Sequence, residues 1–105
     1  MVVEYIRYRI PHERQERFED AYRDAATSLE ASEHCIAYEL SHGVEESERY
    51  ILRIEWDSLS GHEQGFRHSP EFQSFFAAVR PFVNEIEEMH HYNVTSIRPG
   101  ASIRS

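Results

Sequence analysis

The sequence predicts an α+β domain of the ferredoxin-like, split βαβ kind, built on a four-stranded antiparallel sheet. Three observations carry this. Segments rich in β-branched and aromatic residues alternate with segments of helical period, in the order strand, helix, strand, strand, helix pair, strand. A chain of 105 residues has room for one domain. A hydrophobic fraction of 40%, with six Tyr and six Phe, supplies a core that disordered chains lack.

Residues 2–10 read V-V-E-Y-I-R-Y-R-I, the composition of a strand. Ile6, Tyr8 and Ile10 share one face, and Tyr5, Arg7 and Arg9 share the other. Pro11 stops the strand and suits a helix start. Over 12–32, Phe18, Ala21, Tyr22, Ala25 and Leu29 recur at three- and four-residue steps, which predicts a helix with one apolar stripe and a solvated, charged remainder. Residues 34–42 form a second strand with Ile36, Tyr38 and Leu40 on one face. After a turn over 43–47, residues 50–56 form a third, with Tyr50, Leu52, Ile54 and Trp56 aligned. Their closeness predicts a hairpin.

Asp57, Ser58 and Ser60 are capping residues for a short helix reaching Phe66 or Arg67. Ser69-Pro70 then reads as N-cap and first turn of another, with Phe72, Phe75, Phe76 and Val79 on its apolar side and Pro81 near its end. Residues 85–97 read as the last strand. The domain therefore spans 1–97, and 98–105 form a polar tail. An antiparallel sheet with helices on one face leaves the other face to be covered. Arg7, Arg9, Glu39, Arg53 and Glu55 fall there among Tyr5, Ala37 and Ile51, a mixture suited to a paired interface. A homodimer is the expectation.

The formal charge of −8 makes nucleic acid a poor partner. No stretch is apolar and long enough to span a bilayer, and no leader pattern opens the chain, so a cytoplasmic location without membrane attachment is expected. Cys35 has no partner for an internal disulfide and reads as an inert thiol. No Gly-rich phosphate loop is present.

Residues 51–83 read I-L-R-I-E-W-D-S-L-S-G-H-E-Q-G-F-R-H-S-P-E-F-Q-S-F-F-A-A-V-R-P-F-V. A strand ending in E-W-D-S, a short helix, S-P-E-F and an aromatic helix ending in R-P-F resemble the signature stretch of the antibiotic-biosynthesis-monooxygenase family. With the strand order, the resemblance covers roughly residues 2–97. It implies a dimeric α/β barrel with an apolar pocket between sheet and helices in each protomer. It also implies, as one of the family's activities, a cofactor-independent monooxygenase acting on an aromatic quinol or polyketide-like substrate, with molecular oxygen as co-substrate. Such chemistry needs a dry cavity, a proton acceptor and a cation or donor for developing oxyanion charge.

Candidates for these roles follow. Tyr38, Trp56, Phe66, Phe72, Phe75 and Phe76 are suited to hold a small aromatic molecule. His62, four residues before Phe66 and on the same side of the short helix, is the first candidate for base, and His68 the second. Arg80, ending the aromatic helix, is the candidate for oxyanion stabilisation. The resemblance points away from haem: where the haem-degrading branch carries an axial His, this chain has Phe76, which offers iron no ligand atom. Many relatives carry a His where this chain has Phe66, so the resemblance implies that a proton acceptor there has either moved to His62 or been lost.

No metal site is expected. His90 and His91 must point to opposite faces of a strand and cannot easily share an ion, although Glu88 and His90 could. Two other readings stand beside the oxygenase. One is a non-catalytic dimer that binds a small hydrophobe or serves a redox partner. Its E-E-M-x-H-Y strand resembles that of family members joined to a truncated globin. The other is an oxygen-independent isomerase or lyase of small phenolics, since fold does not fix function.

Overall fold

A computed structural model of the chain describes residues 1–99. Of the polar tail expected over 98–105, residues 100–105 lie outside the described residues. The strands are β1 (Val2–Arg9), β2 (Cys35–His42), β3 (Arg49–Trp56) and β4 (Ile86–Asn93), and the main helices are α1 (Gln15–Ala31) and α2 (Pro70–Val79). The sheet order is β2-β3-β1-β4, with every neighbouring pair antiparallel. This is the expected ferredoxin-like α+β fold. β4 is shorter than the 85–97 read from sequence, because pairing with β1 ends at Val2 opposite Asn93.

Helices cover one face of the sheet, and the core lies between them. Alternation in β1 and β3 turns Ile6, Tyr8, Leu52, Ile54 and Trp56 inward, as their period requires. The α1 stripe answers with Phe18, Tyr22, Ala25 and Leu29, all buried. Phe18 meets Tyr8, Tyr22, Tyr50 and Phe82 edge-on or tilted, at centroid distances of 4.8–5.2 Å. Ser69 caps α2 by accepting a hydrogen bond from the Phe72 N–H at 3.3 Å, with Pro70 at the first turn.

Two elements depart from the sequence reading. In β2 a register shift falls between Cys35 and Ala37, so Cys35 packs on the core while Ile36 is 58% exposed. A bulge of this kind turns over the residue that simple alternation would have buried. The segment before α2 is a π-type turn at Gly61–Gly65, followed by a single 3-10 turn at Phe66–His68, and not a regular short helix. The Phe66 N–H reaches the Gly61 carbonyl, five residues back, as well as that of His62.

The outer face of the sheet carries the expected charges, joined in pairs. Arg7 bonds Glu88 at 3.2 Å, Arg9 bonds Glu87 at 3.1 Å, and Arg53 bonds Glu55 at 2.6 Å. No helix among the described residues is long and apolar enough to cross a membrane.

Candidate functional site: an aromatic cavity with a carboxylate-imidazole chain

A cavity of about 170 Å³ lies between the sheet and α2. Ile6, Tyr8, Ile54 and Trp56 form its sheet side. Phe66, Phe72, Phe75, Phe76 and Val79 form its helical side, and Val83, Ile86 and Met89 complete it. Phe76, Val83 and Met89 are also exposed, so they form its mouth. The space is that of roughly one aromatic ring, comparable to the engineered apolar cavities that take up benzene.

The polar end of this cavity is built on Glu4, His62 and His91. Glu4 shares the inward register of Ile6 and Tyr8 and lies directly across from His91 on β4. The Trp56 indole N–H donates to Glu4 Oε1 at 3.1 Å. His62 Nε2 lies 3.5 Å from the same oxygen, and His62 Nδ1 lies 2.7 Å from His91 Nε2. His91 Nε2 is 3.8 Å from Glu4 Oε2. One proton arrangement satisfies both His62 contacts: His91 Nε2–H donates to His62 Nδ1, and His62 Nε2–H points at Glu4. The side chains are 3%, 5% and 29% exposed in the order Glu4, His62, His91, so the chain runs from the dry interior to the surface.

Local structure explains why His62 points inward. Gly61 and Gly65 flank it, and both face the His34 ring. A Cβ at Gly65 would fall 2.3 Å from His34 Nε2. The ring is itself fixed by a 2.9 Å bond between its Nδ1 and Asp57. The π-type turn therefore sits against a clamped imidazole, which only residues without side chains permit. On the inner side, Trp56 stacks on His62 with centroids 4.5 Å apart and planes 15° from parallel.

Burial sets the electrostatics. It holds His62 down at about 4, helped by the charges of His91 and Arg67, so the ring is neutral near pH 7. Burial also pushes the Glu4 carboxyl up, against the opposing pull of the Trp56 hydrogen bond and of His91 and Arg67. At the cavity's other side Tyr8 shares a short hydrogen bond with Tyr22. Burial raises Tyr8 to about 12 and Tyr22 well above its ordinary value, so both hydroxyls stay neutral.

Of the residues singled out from sequence, His62, Trp56, Phe66, Phe72, Phe75 and Phe76 line the cavity. The others do not. Tyr38 bonds Glu30 from β2 and borders a separate groove. Arg80 is exposed at the end of α2 and lines no part of the cavity. His68 is exposed in a polar hollow outside it, together with His62, Glu63, Arg67, Phe72 and His91. The cation beside the cavity is Arg67, one turn before α2. Arg7 occupies Glu88, so the Glu88–His90 pairing gives way to one between Glu4 and His91. Cys35 is partly buried with its thiol pushed up to about 11, chiefly by burial, as suits an inert group.

A sheet carrying a buried carboxylate against an aromatic helix defines a small α+β protein with an apolar cavity that opens to the surface at Phe76, Val83 and Met89. The chain belongs to the antibiotic biosynthesis monooxygenase family, which it matches over residues 1–78. The protein YczJ of Bacillus subtilis is 35% identical over 78 residues, covering 74% of this chain and 82% of that one. Among solved structures, a putative antibiotic biosynthesis monooxygenase from Bordetella bronchiseptica is similar with a TM-score of 0.72 and 22% identity, over 90% of this chain and 96% of its own. A conserved protein from Methanosarcina mazei Go1 is similar with a TM-score of 0.76 and 17% identity, over 90% and 92%. At these identities the structures attest the fold. The match to the family includes Glu4, Trp56 and His62, whereas His91 lies beyond it.

Proposed function

We propose that the protein is a cofactor-independent monooxygenase of a small, flat phenol or quinol, with molecular oxygen as co-substrate. The observation that carries this is the cavity's polar end: a buried carboxylate within an aromatic chamber, linked through His62 to the partly exposed His91. The cavity volume favours one ring over a fused polyketide.

The substrate hydroxyl gives its proton to Glu4, which holds it for return to the peroxide oxygen. The phenolate then passes one electron to oxygen. Superoxide and the phenoxyl radical combine at a ring carbon to give a hydroperoxide. Loss of water leaves a carbonyl, so a phenol and oxygen become a quinone and water. One oxygen atom enters the ring, and the other departs with the hydroxyl proton and the ring hydrogen. No external reductant is needed. Arg67 supplies positive charge near the developing oxyanion, the part first assigned to Arg80. Pairing of two protomers through the charged outer face would complete the barrel.

Oxygen uptake by chelator-treated protein, with a panel of monocyclic quinols and blanks for autoxidation, tests this. Saturable uptake is expected, and Glu4→Gln should lower it on the order of 100-fold. Uptake no faster than the blank from folded protein would leave a small-hydrophobe-binding module as the better reading.

A further inference from the structure

We propose that Glu4, His62 and His91 bind one divalent transition-metal ion of the zinc, cobalt or iron(II) type, and that loading this ion shuts the proton path. The second half rests on the function proposed above, and the first does not.

One potential ligand atom from each residue lies within 4.8 Å of those from the other two. Two imidazoles and a carboxylate suit borderline divalent ions, with zinc and iron(II) the common occupants. The supports are rigid. Glu4 and His91 are directly opposed on neighbouring strands, and His62 is held by the clamped turn. Outer partners are in place as well: the Trp56 N–H fixes one Glu4 oxygen, and the Trp56 ring fixes the plane of His62.

Among the described residues, Glu4 has no arginine in ion-pair contact, unlike the carboxylates of the outer face. Its contacts are an indole N–H and two imidazoles, and a bound cation would balance the charge of the carboxylate. The spacing needs a small adjustment. Two imidazole nitrogens on one tetrahedral ion sit roughly 3.3 Å apart. Here His62 Nδ1 and His91 Nε2 are 2.7 Å apart and share a proton. Entry of the ion would displace that proton and part the rings by about half an ångström. Three protein ligands leave further positions facing the cavity, as in exchangeable sites and not closed structural ones. An ion held there takes up the lone pairs through which the proton would travel.

The test uses tag-free, full-length protein stripped with a chelator that is then removed. Calorimetric titration with zinc or cobalt(II) should give one ion per chain, and cobalt should show visible d–d bands. Equimolar zinc should abolish quinol-dependent oxygen uptake. His91→Ala, at the partly exposed member, should weaken binding at least roughly tenfold, and the uptake it retains, measured against its own metal-free rate, should be insensitive to equimolar zinc. His90→Ala, on the opposite face, should change neither. Absence of stoichiometric binding, or binding by His91→Ala equal to wild type, would overturn the site. Loaded protein that consumes oxygen as fast as stripped protein, or faster, would overturn the blocking role. If stripped protein shows no uptake at all, the oxygenase reading fails while the titration still decides the site.

Discussion

The two faces of β1 treat charge in opposite ways. On the outer face, Arg7 and Arg9 each meet at least one glutamate across the strands, and these pairs are about two-fifths exposed. On the inner face, Glu4 sits in the same strand with an indole and two imidazoles for company and almost no contact with water. Outside, each cation has an anion, and solvent screens what remains. Inside, burial pushes the carboxyl pKa up, against the opposing pull of the Trp56 hydrogen bond and of His91 and Arg67. Charge that is merely tolerated looks like the first arrangement, and charge available for chemistry looks like the second.

The largest effect should come from cutting the inner arrangement at its base. Trp56→Ala removes a fully buried ring that stacks on His62, packs on Phe66 and donates to Glu4. A loss of about 3–5 kcal/mol is expected, read by urea unfolding. Next comes Gly65→Ala, whose Cβ would collide with the clamped His34 ring. We expect about 1–3 kcal/mol of destabilisation, shrinking sharply when His34 is also changed to Ala. A cost that stays the same in the His34→Ala background would show that the collision is not its source.

The outer face should respond far less. Arg7→Ala removes a half-exposed pair with Glu88, and a change under about 1 kcal/mol is expected, smaller still at high salt. The smallest effect concerns the His34–Asp57 clamp. Asp57 raises the pKa of His34, and His34 lowers that of Asp57. The stabilisation through His34 is complete below its unfolded value near ~6.5 and fades as pH rises through the raised folded one. That through Asp57 is complete above its unfolded value near ~3.9 and is lost as pH falls through the lowered one. Asp57→Asn should therefore lower the melting temperature most between about pH 4 and pH 6.5 and least in alkali. A uniform drop across pH would mean that the clamp works without charge.

Much of this was legible in the chain itself. Period two in β3 placed Trp56 inward, and helical spacing brought Phe72, Phe75 and Phe76 to one wall of the cavity. The spacing of His62 from Phe66 located the one histidine of the short segment that points into it, although the turn that aims it is of π type. Glu4 was missed, and yet its signal was present: a lone acid in the register of Ile6, Tyr8 and Ile10. His91 was harder. Alternation says that His90 and His91 part company, but which one turns inward depends on the pairing of β4 with β1. That pairing shifts at Arg7/Tyr8, a detail fixed by tertiary packing and not by local pattern. The same limit misjudged Ile36, where the bulge in β2 reverses the faces. Tyr38 and Arg80 had suitable chemistry, but their places in the fold point them elsewhere.

The neighbouring histidines of β4 have one more consequence. A strand that slides by a single residue against its partner turns all its side chains over. For most sites on a sheet, such a slide deletes the chemistry. Here a slide that set residue 90 opposite Glu4 would bring His90 inward as His91 swung out. An imidazole would still face the carboxylate. The doublet thus makes this corner robust to errors of alignment between its strands, including those that a one-residue insertion or deletion in the preceding loop would introduce over evolutionary time.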